Sequence, residues 1–431
     1  MEMAAQRYDL DDPTLIFRPD VLDCPNDLYA QLRAEAPVWE IPGSSTFLVT
    51  RADLVNEVVA RPADFSSNLA SLIFRGADGS VNVFDMAALG DATHVLATAD
   101  PPVHAPHRKL LQPHLTPAVV DRLESEIEAI ADELHAGLLA SGTGDYVREV
   151  ADLLPMRVIS LVIGLPAEDT PRLVKLVLDV DQILAGVGDE QGMAQAVASA
   201  AEQGAYLAGH LQRAMVVSDD RSERDAADGS AADDTMLAVL AAAVARGEIG
   251  FEAAVGILVQ LLGAGSETTT SLIATAVRML AEDPELQERL RRGTEEVATF
   301  LEEALRLDGP FRFHYRSVPR ATELGGVAIP ANARILVMWG AANLDRAAYP
   351  EPDALDLARP TPKSHLAFGR GLHFCIGAPL ARLEVKVTVS RLLGQTRRIE
   401  LDPTQPPRLH PDIFMRRLAT LGVRVQRATS A

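Results

Sequence analysis

The chain has 431 residues, 48% of them hydrophobic and 23% charged, an ordinary globular composition that excludes a disordered or fibrous protein. Its 60 Asp and Glu outnumber 40 Lys and Arg, for a formal net charge of -20. Such a surface repels phosphate backbones and anionic lipid, so nucleic-acid and membrane-surface roles are disfavoured.

The N-terminus, MEMAAQRYDLDDPTLIF, carries early acids and no apolar core of signal-peptide length. Residues 1–20 read as an N-terminal extension, expected to have room to be mobile. Asp27 to Ala36 is expected as helix and Thr46 to Thr50 as strand. Residues 66–100 lack sustained periodicity and hold Gly76, Gly79 and Gly90, the kind of stretch that is usually functional or mobile. From Pro117 to Leu139, Val120, Leu123, Ile127, Ile130 and Leu134 recur at helical spacing. More helix is expected over about 150–163, 168–185 and 193–216. The most polar stretch, 218–234 (SDDRSERDAADGSAADD), reads as a surface loop between helices. A long helix follows over Phe251 to Glu282. Asp283-Pro284-Glu285 stops it and starts the next one, with Asp as N-cap and Pro at the first helical position. Another helix at 295–307, strand-like pieces (GGVAIP, RILVMWG), a Pro-rich stretch at 350–362 and a helix from about Ile376 to Leu393 complete the chain. The longest apolar run, around Ala253 to Ala264, is broken by Gln260 and too short to span a bilayer. Two cysteines, Cys24 and Cys375, are too few for a disulfide framework, so a soluble protein of the reducing cytoplasm is expected. No repeat and no clean linker appear. The expected architecture is mainly α with a small β region, in a single domain over 1–431.

The sharpest feature is the run Phe368-Gly369-Arg370-Gly371-Leu372-His373-Phe374-Cys375-Ile376-Gly377. Two glycines let the backbone turn tightly and leave N–H groups free to point at the sulfur. The cysteine precedes a helix start, where an anionic thiolate is stabilised. Gly377 lets a flat ligand come close. A thiolate so held suits haem iron as an axial ligand. A lone buried cysteine beside a glycine turn would be structural. Six fixed positions, however, match by chance only roughly once in a million at ordinary residue frequencies.

A second feature is Ala264-Gly265-Ser266-Glu267-Thr268-Thr269 in the long helix. With Gly263, Ala264 and Gly265 give a face almost without side chains. A following acid and hydroxyl are locally unfavourable in a helix, because Thr can bond back to the previous turn. The alternatives are a groove for a planar group or a plain kink with a solvent-facing Glu. Glu303 and Arg306, three residues apart, share a helix face; alone, such a pair is a surface salt bridge of little worth. Asp100-Pro101-Pro102-Val103-His104-Ala105-Pro106-His107-Arg108 supplies cationic and donor groups of the kind that buried carboxylates need.

Together these motifs, in this order, resemble the cytochrome P450 family, and the likeness runs from about residue 23 to the end. The resemblance implies the haem-thiolate fold and haem b, with Cys375 on the iron. Haem would lie between the 251–282 helix and the cysteine loop, against Ala264, Gly265, Phe368 and Gly377. The propionate donors would be His104, Arg108, Arg316 and His373. In the motif D-P-P-x-H-x-R-x-R, Pro106 replaces the first Arg, which puts the direction of His104 in question; His107 is expected exposed. Thr268 and Glu267 would deliver protons during oxygen activation. Glu303 and Arg306, with Arg359, would lock the loop in place without a catalytic role.

The implied reaction inserts one atom of O₂ into a small organic substrate and reduces the other to water. No flavin or Fe–S motif is visible, so electrons would come from a ferredoxin and an NAD(P)H-dependent ferredoxin reductase. Arg370, Arg382, Lys386 and Arg391, with Arg108 and Lys109, make a basic contrast to the acidic chain and suit an acidic partner. Phe74, Phe84, Leu262, Phe313 and Phe414 suggest an apolar pocket, although each could be core, and His314 could add a polar handle. A peroxide-driven peroxygenase and a non-catalytic haem protein are the rival classes.

Overall fold

Apolar side chains on the predicted long helix are buried around much of its circumference, and the other helices pack on it because such a rod cannot remain in water. The computed structural model describes residues 6–86, 93–224 and 235–428, excluding the side chains of 217–224. Two short helices, α1 (Pro19–Asp23) and α2 (Asn26–Glu35), precede strands β1 (Val38–Ile41) and β2 (Thr46–Val49). Helix α3 (Ala52–Ala60) and the strands β3 (Ser71–Arg75) and β4 (Val81–Asp85) follow. The helical body comprises α4 (His104–Leu111), α5 (Pro117–Val120), α6 (Glu124–Ser141), strand β5 (Thr143–Asp145), α7 (Leu153–Ile163) and α8 (Thr170–Ala185). It continues with α9 (Glu190–Arg224), α10 (Met236–Ala245), α11 (Phe251–Glu282), α12 (Pro284–Arg292) and α13 (Glu296–Leu307). The last third holds β6 (His314–Ser317), β7 (Thr322–Leu324), β8 (Val327–Ile329), β9 (Arg334–Val337) and α14 (Trp339–Asn343). Helix α15 (Ala378–Gln395) and strands β10 (Thr396–Leu401), β11 (Arg408–Leu409), β12 (Leu418–Thr420) and β13 (Gly422–Arg427) end it.

The long helix α11 has the predicted bounds. Its stop is the expected one: the Asp283 carboxylate accepts from Leu286 N–H at 3.0 Å and Pro284 opens α12. Against α11 pack α7, α9, α10, α13 and α15, and their apolar faces form the main core. The main sheet has the order β1-β2-β9-β6, with β2 and β9 parallel (Thr46 opposite Arg334) and the outer pairs antiparallel. A second sheet has the order β10-β13-β5. No helix among the described residues is long and apolar enough to cross a membrane.

Four expectations are corrected. The aperiodic 66–100 segment contains the β3–β4 hairpin, Ser71 opposite Asp85, turning at Gly79 with φ +85; Gly90 lies outside the described residues. The 117–139 helix is broken near Asp121–Leu123, a turn of tighter helix between α5 and α6. Helix α9 runs through Arg224, so 218–224 are helical, and 225–234 lie outside the described residues. The N-terminal extension joins the core, since Tyr8, Leu15, Ile16 and Phe17 are buried with Phe313 and Phe414.

Candidate functional site

The cysteine loop is built on its glycines. Gly369 and Gly371 have φ +68 and +70, a region that a side chain disfavours. Cys375 N–H then donates to Phe368 C=O at 2.9 Å, closing the loop. The groups aimed at the sulfur are the N–H of Gly377 and Ala378, at the start of α15, where a helix is expected to favour an anionic sulfur. Burial pushes the Cys375 thiol up, while those N–H groups, Arg108 and Arg382 pull it down. A Cβ at Gly377 would stand 3.9 Å from the sulfur with no other neighbour closer, so the approach to it stays shallow. Phe368 is half-buried beneath the Arg382 guanidinium, which lies 4.4 Å from the ring centroid.

Beside the loop, donors converge without acceptors. His104 and His373 meet edge to face at 4.4 Å. His104 Nδ1 and both ring nitrogens of His373 are buried and unpaired among the described residues. Arg316, also buried, makes one bond, to Tyr315 C=O at 2.7 Å. Burial drives its pKa down to about 10, with Asp100 the opposing charge. Asp100 is itself engaged by Ser66 and by Ser67 N–H. Arg108 donates to Phe374 C=O at 2.8 Å. Pro106 falls in the first turn of α4, where it is tolerated, and His104 keeps its inward direction. His107 is buried, not exposed, with Nδ1 unpaired. A buried cation and unpaired imidazoles are costly unless a ligand satisfies them. An anionic group with two carboxylates fits.

Helix α11 offers one open face. A Cβ on Gly263 would meet nothing within 4 Å, and Ala264 is exposed. Thr268, one turn on, donates its hydroxyl to Ala264 C=O at 2.8 Å. Gly265 does not belong to this face: a Cβ there would lie 2.7 Å from two carbons of Ile159 on α7. Its glycine serves helix packing, which corrects its assignment to the cofactor. Glu267 is buried, not solvent-facing, and accepts from Arg417 Nη1 at 3.3 Å. Arg417 Nη2 also reaches Asp152 at 2.7 Å.

The charge pair is deep. Arg306 and Glu303 side chains are both 0% exposed, bonded at 2.8 and 2.9 Å, and Arg359 adds a 2.9 Å bond to Glu303. The adjacent Glu302 binds His365 and Arg382, at 2.8 and 2.6 Å. Burial raises its pKa, but the hydrogen bonds from Arg382 and His365 outweigh it and hold the carboxyl down to about 2.

The five pocket candidates separate. Phe313 and Phe414 are 2% and 7% exposed, packed edge to face at 5.4 Å in an aromatic cluster with Phe311 and Tyr315. Leu262 is 0% exposed, a core residue that reaches no open space. Phe74 and Phe84 are half-buried on one face of the hairpin, Phe84 opposite Leu72. His314 accepts from Trp339 Nε1–H at 2.7 Å, which fixes Nε2 as its protonated nitrogen. Sequence reading missed Arg417, Glu302, His365 and Asp181, whose partners come from remote segments.

Unpaired donors beside the cysteine loop, a thiol cradled by backbone N–H groups and a bare face on α11 together suit one ligand, an iron porphyrin with two propionates. That complementarity defines a haem-thiolate protein. Comparison with known proteins agrees: the family model "Cytochrome P450" matches residues 37–419, and the chain belongs to that family. It is 37% identical to "Cytochrome P450 144" of Mycobacterium tuberculosis over 96% of this chain and 92% of that one. It is 33% identical to "Cytochrome P450 109" of Bacillus spizizenii, over 87% and 85%. Among solved structures, CYP109E1 from Bacillus megaterium in complex with testosterone superposes with a TM-score of 0.80 at 28% identity, covering 94% of this chain and 98% of that one. The protein is therefore an oxidoreductase, a monooxygenase that carries haem with a cysteine thiolate on iron.

Proposed function

We propose that the protein, acting as a single domain, inserts one oxygen atom of O₂ into a small organic molecule with a largely apolar body, using electrons from a ferredoxin and its NAD(P)H-dependent reductase in the cytoplasm. The observation that carries the reading is the hydroxyl of Thr268 on the open face of α11, directly beyond Gly263 and Ala264. Haem bound there would supply the thiolate push that favours O–O cleavage. The chain's own part is positional. Cys375 would hold the iron, while His104, Arg108, Arg316 and His373 would satisfy the propionates and gain the partners that burial denies them. Thr268 would pass a proton from its oxygen and be recharged through the polar groups behind it, of which Glu267 is the nearest acid in sequence.

The cation set near the cysteine loop divides. Arg382 is bound to Glu302, and Arg391 to Asp132. Exposed Arg370 and Lys386 form no ion pair among the described residues, and Arg370 lies two residues before exposed Leu372 and four before exposed Phe374. They are the proposed ferredoxin contacts, an apolar patch with a basic rim. The test is turnover with reduced ferredoxin against turnover with hydrogen peroxide. Ferredoxin-driven product formation is expected to dominate. Thr268→Ala is expected to divert a large share of the electrons to free peroxide. A variant as well coupled as the wild type, or a preference for peroxide, would remove this reading and favour the peroxygenase.

A further inference from the structure

The inner face of α8 carries an acid that the reaction does not require. Leu173 and Val177 are buried in the main core, Leu184 packs on the second core, and Ala185 is buried. Asp181 lies on the same stripe, four residues after Val177 and four before Ala185, so its carboxyl is aimed inward. Burying a carboxylate without a partner is costly. Yet Asp181 makes no hydrogen bond or ion pair among the described residues. It is crowded by protein yet keeps partial accessibility, so a small group can reach its carboxyl.

The surrounding charges are already committed. Glu267 and Asp152 share Arg417, at 3.3 and 2.7 Å. Asp412 accepts from the N–H of Phe414 and Met415, at 2.6 and 2.9 Å. Arg312, the other cation acting on Asp412, donates to the carbonyls of Met415, Val21 and Leu22. His410 is neutral, held down to about 4 by burial and by Arg417. On the α9 side, Lys175 and Arg172 are taken by Asp179 and Glu202. Thus four carboxyl groups (Asp152, Asp181, Glu267 and Asp412) surround Arg417, and among the described residues Asp181 is the one of them without a hydrogen-bond donor while keeping partial accessibility. The location is in the working part of the molecule. Ile413 N–H bonds Ala185 C=O at 3.1 Å, joining α8 to the 412–417 turn, and Arg417 joins that turn to Glu267, the neighbour of Thr268.

We propose that Asp181 is an anionic anchor for a positively charged nitrogen on the substrate, so that the molecule oxidised is an amine or ammonium compound with an apolar body. The inference rests on the monooxygenase reading and names its substrate class. A cation fits better than a hydroxyl because the cluster has an excess of acid over base, which a neutral donor would leave uncorrected. Burial, with the negative charge of Asp412, pushes Asp181 up to about 8 against the pull of Arg417. The unliganded acid is therefore mostly protonated at neutral pH, and a bound cation would drive the proton off. Selectivity for ammonium should rise with pH and level off once Asp181 is ionised in the free protein.

The test uses haem-loaded protein and two probes of one shape, phenylbutyl-trimethylammonium and its neutral tert-butyl isostere. The quaternary nitrogen cannot ligate iron. Dissociation constants are read from the Soret shift between pH 6.5 and 9. The ammonium probe should bind at least about tenfold more tightly at pH 8, a difference of about 1.4 kcal/mol. Its advantage should shrink towards pH 6.5, and its binding at pH 7 should release a proton that the isostere does not. Asp181→Asn should abolish the preference and leave the isostere's affinity unchanged. Should that variant fail to hold haem, the wild-type pH profile and proton release decide. No ammonium preference in the wild type, including no binding of either probe, overturns the proposal, as does a preference that survives Asp181→Asn. The carbon monoxide difference spectrum of the same sample and ferredoxin-driven oxygen consumption test the monooxygenase reading separately.

Discussion

Glu303→Gln tests whether the buried charge pair holds the protein together as the geometry implies. In the wild type, Glu303 receives Nε and Nη2 of Arg306 at 2.8 and 2.9 Å, Nε of Arg359 at 2.9 Å, and Asp356 N–H at 3.0 Å. Glutamine keeps the shape, but its amide has one acceptor oxygen and turns an N–H₂ group towards donors. Two guanidinium groups then remain in the interior with no carboxylate. Breaking a buried pair from one side costs about 3–5 kcal/mol, a large part of the roughly 5–15 kcal/mol that keeps a protein folded. With about 2.1 cal/mol/K of unfolding entropy per residue, a chain of 431 residues should melt roughly 3–5 °C lower. The control is Glu288→Gln. Glu288 and Arg291 have the same i, i+3 spacing at 3.2 Å, but the Glu288 side chain is 60% exposed, so the loss should stay below about 1 kcal/mol. Thermal scans of holoprotein, with haem retention in mild urea as a second readout, compare the two. Melting of Glu303→Gln within a degree of wild type, or an equal loss in both variants, would refute the reasoning.

Three further outcomes are expected. Gly265→Ala should cost about 1–3 kcal/mol by overpacking against Ile159 and be partly rescued by Ile159→Ala, whereas Gly263→Ala meets no protein neighbour and, in haem-free protein, should gain up to about 1 kcal/mol in helix propensity; thermal melts of the four haem-free proteins decide. Glu302 has a folded pKa of about 2 against 4.5 for the free group, so its stabilising effect is complete above pH 4.5, is lost as the pH falls towards 2, and is worth about 3 kcal/mol. Glu302→Gln should therefore flatten the acid limb of the stability profile, and an unchanged limb would reject the assignment. Arg370→Glu and Lys386→Glu should slow reduction by ferredoxin and weaken its salt dependence at unchanged melting temperature, while Arg382→Glu should lower the melting temperature because it opposes Glu302; stopped-flow reduction beside thermal scans distinguishes the two effects.

What the sequence makes legible is local. The stop of α11 is carried by Asp283, Pro284 and Glu285, three adjacent positions of capping chemistry, and its bounds are predicted correctly. The cysteine loop is legible because glycine is the residue that adopts φ near +70 at least cost, and two glycines stand at that conformation. Polarity proves to be a weaker guide. The stretch 218–224 contains Arg, Glu, Asp and Ser, all compatible with helix, and polarity speaks of solvent and not of backbone conformation. The β3–β4 hairpin does carry a turn signal, Asp78-Gly79, but its strands are five residues each and only Leu72 and Ile73 are buried, so no clean alternation marks it. His107 reads as exposed because a histidine carries no burial signal, and Arg382 reads as free because Glu302 lies 80 positions away.

The same limit explains why the acid–alcohol pair looks simpler in sequence than in space. Adjacent residues on a helix point about 100° apart, so Glu267 and Thr268 cannot share one face. Thr268 stands with Ala264 on the open face, and Glu267 faces the buried side, where Arg417 arrives from 150 residues downstream. A group tied by Arg417 to Asp152 is not a free donor to its neighbour's hydroxyl. The polar load of α11 is thus divided, with the hydroxyl on the open face and the carboxylate placed where it fixes the 412–417 turn against the helix. That turn also holds Asp412 and faces Asp181. Arg417 thereby ties Glu267 and Asp152 on the helical side to the 412–417 turn beside Asp181, and a change of charge at either end is expected to be felt at the other.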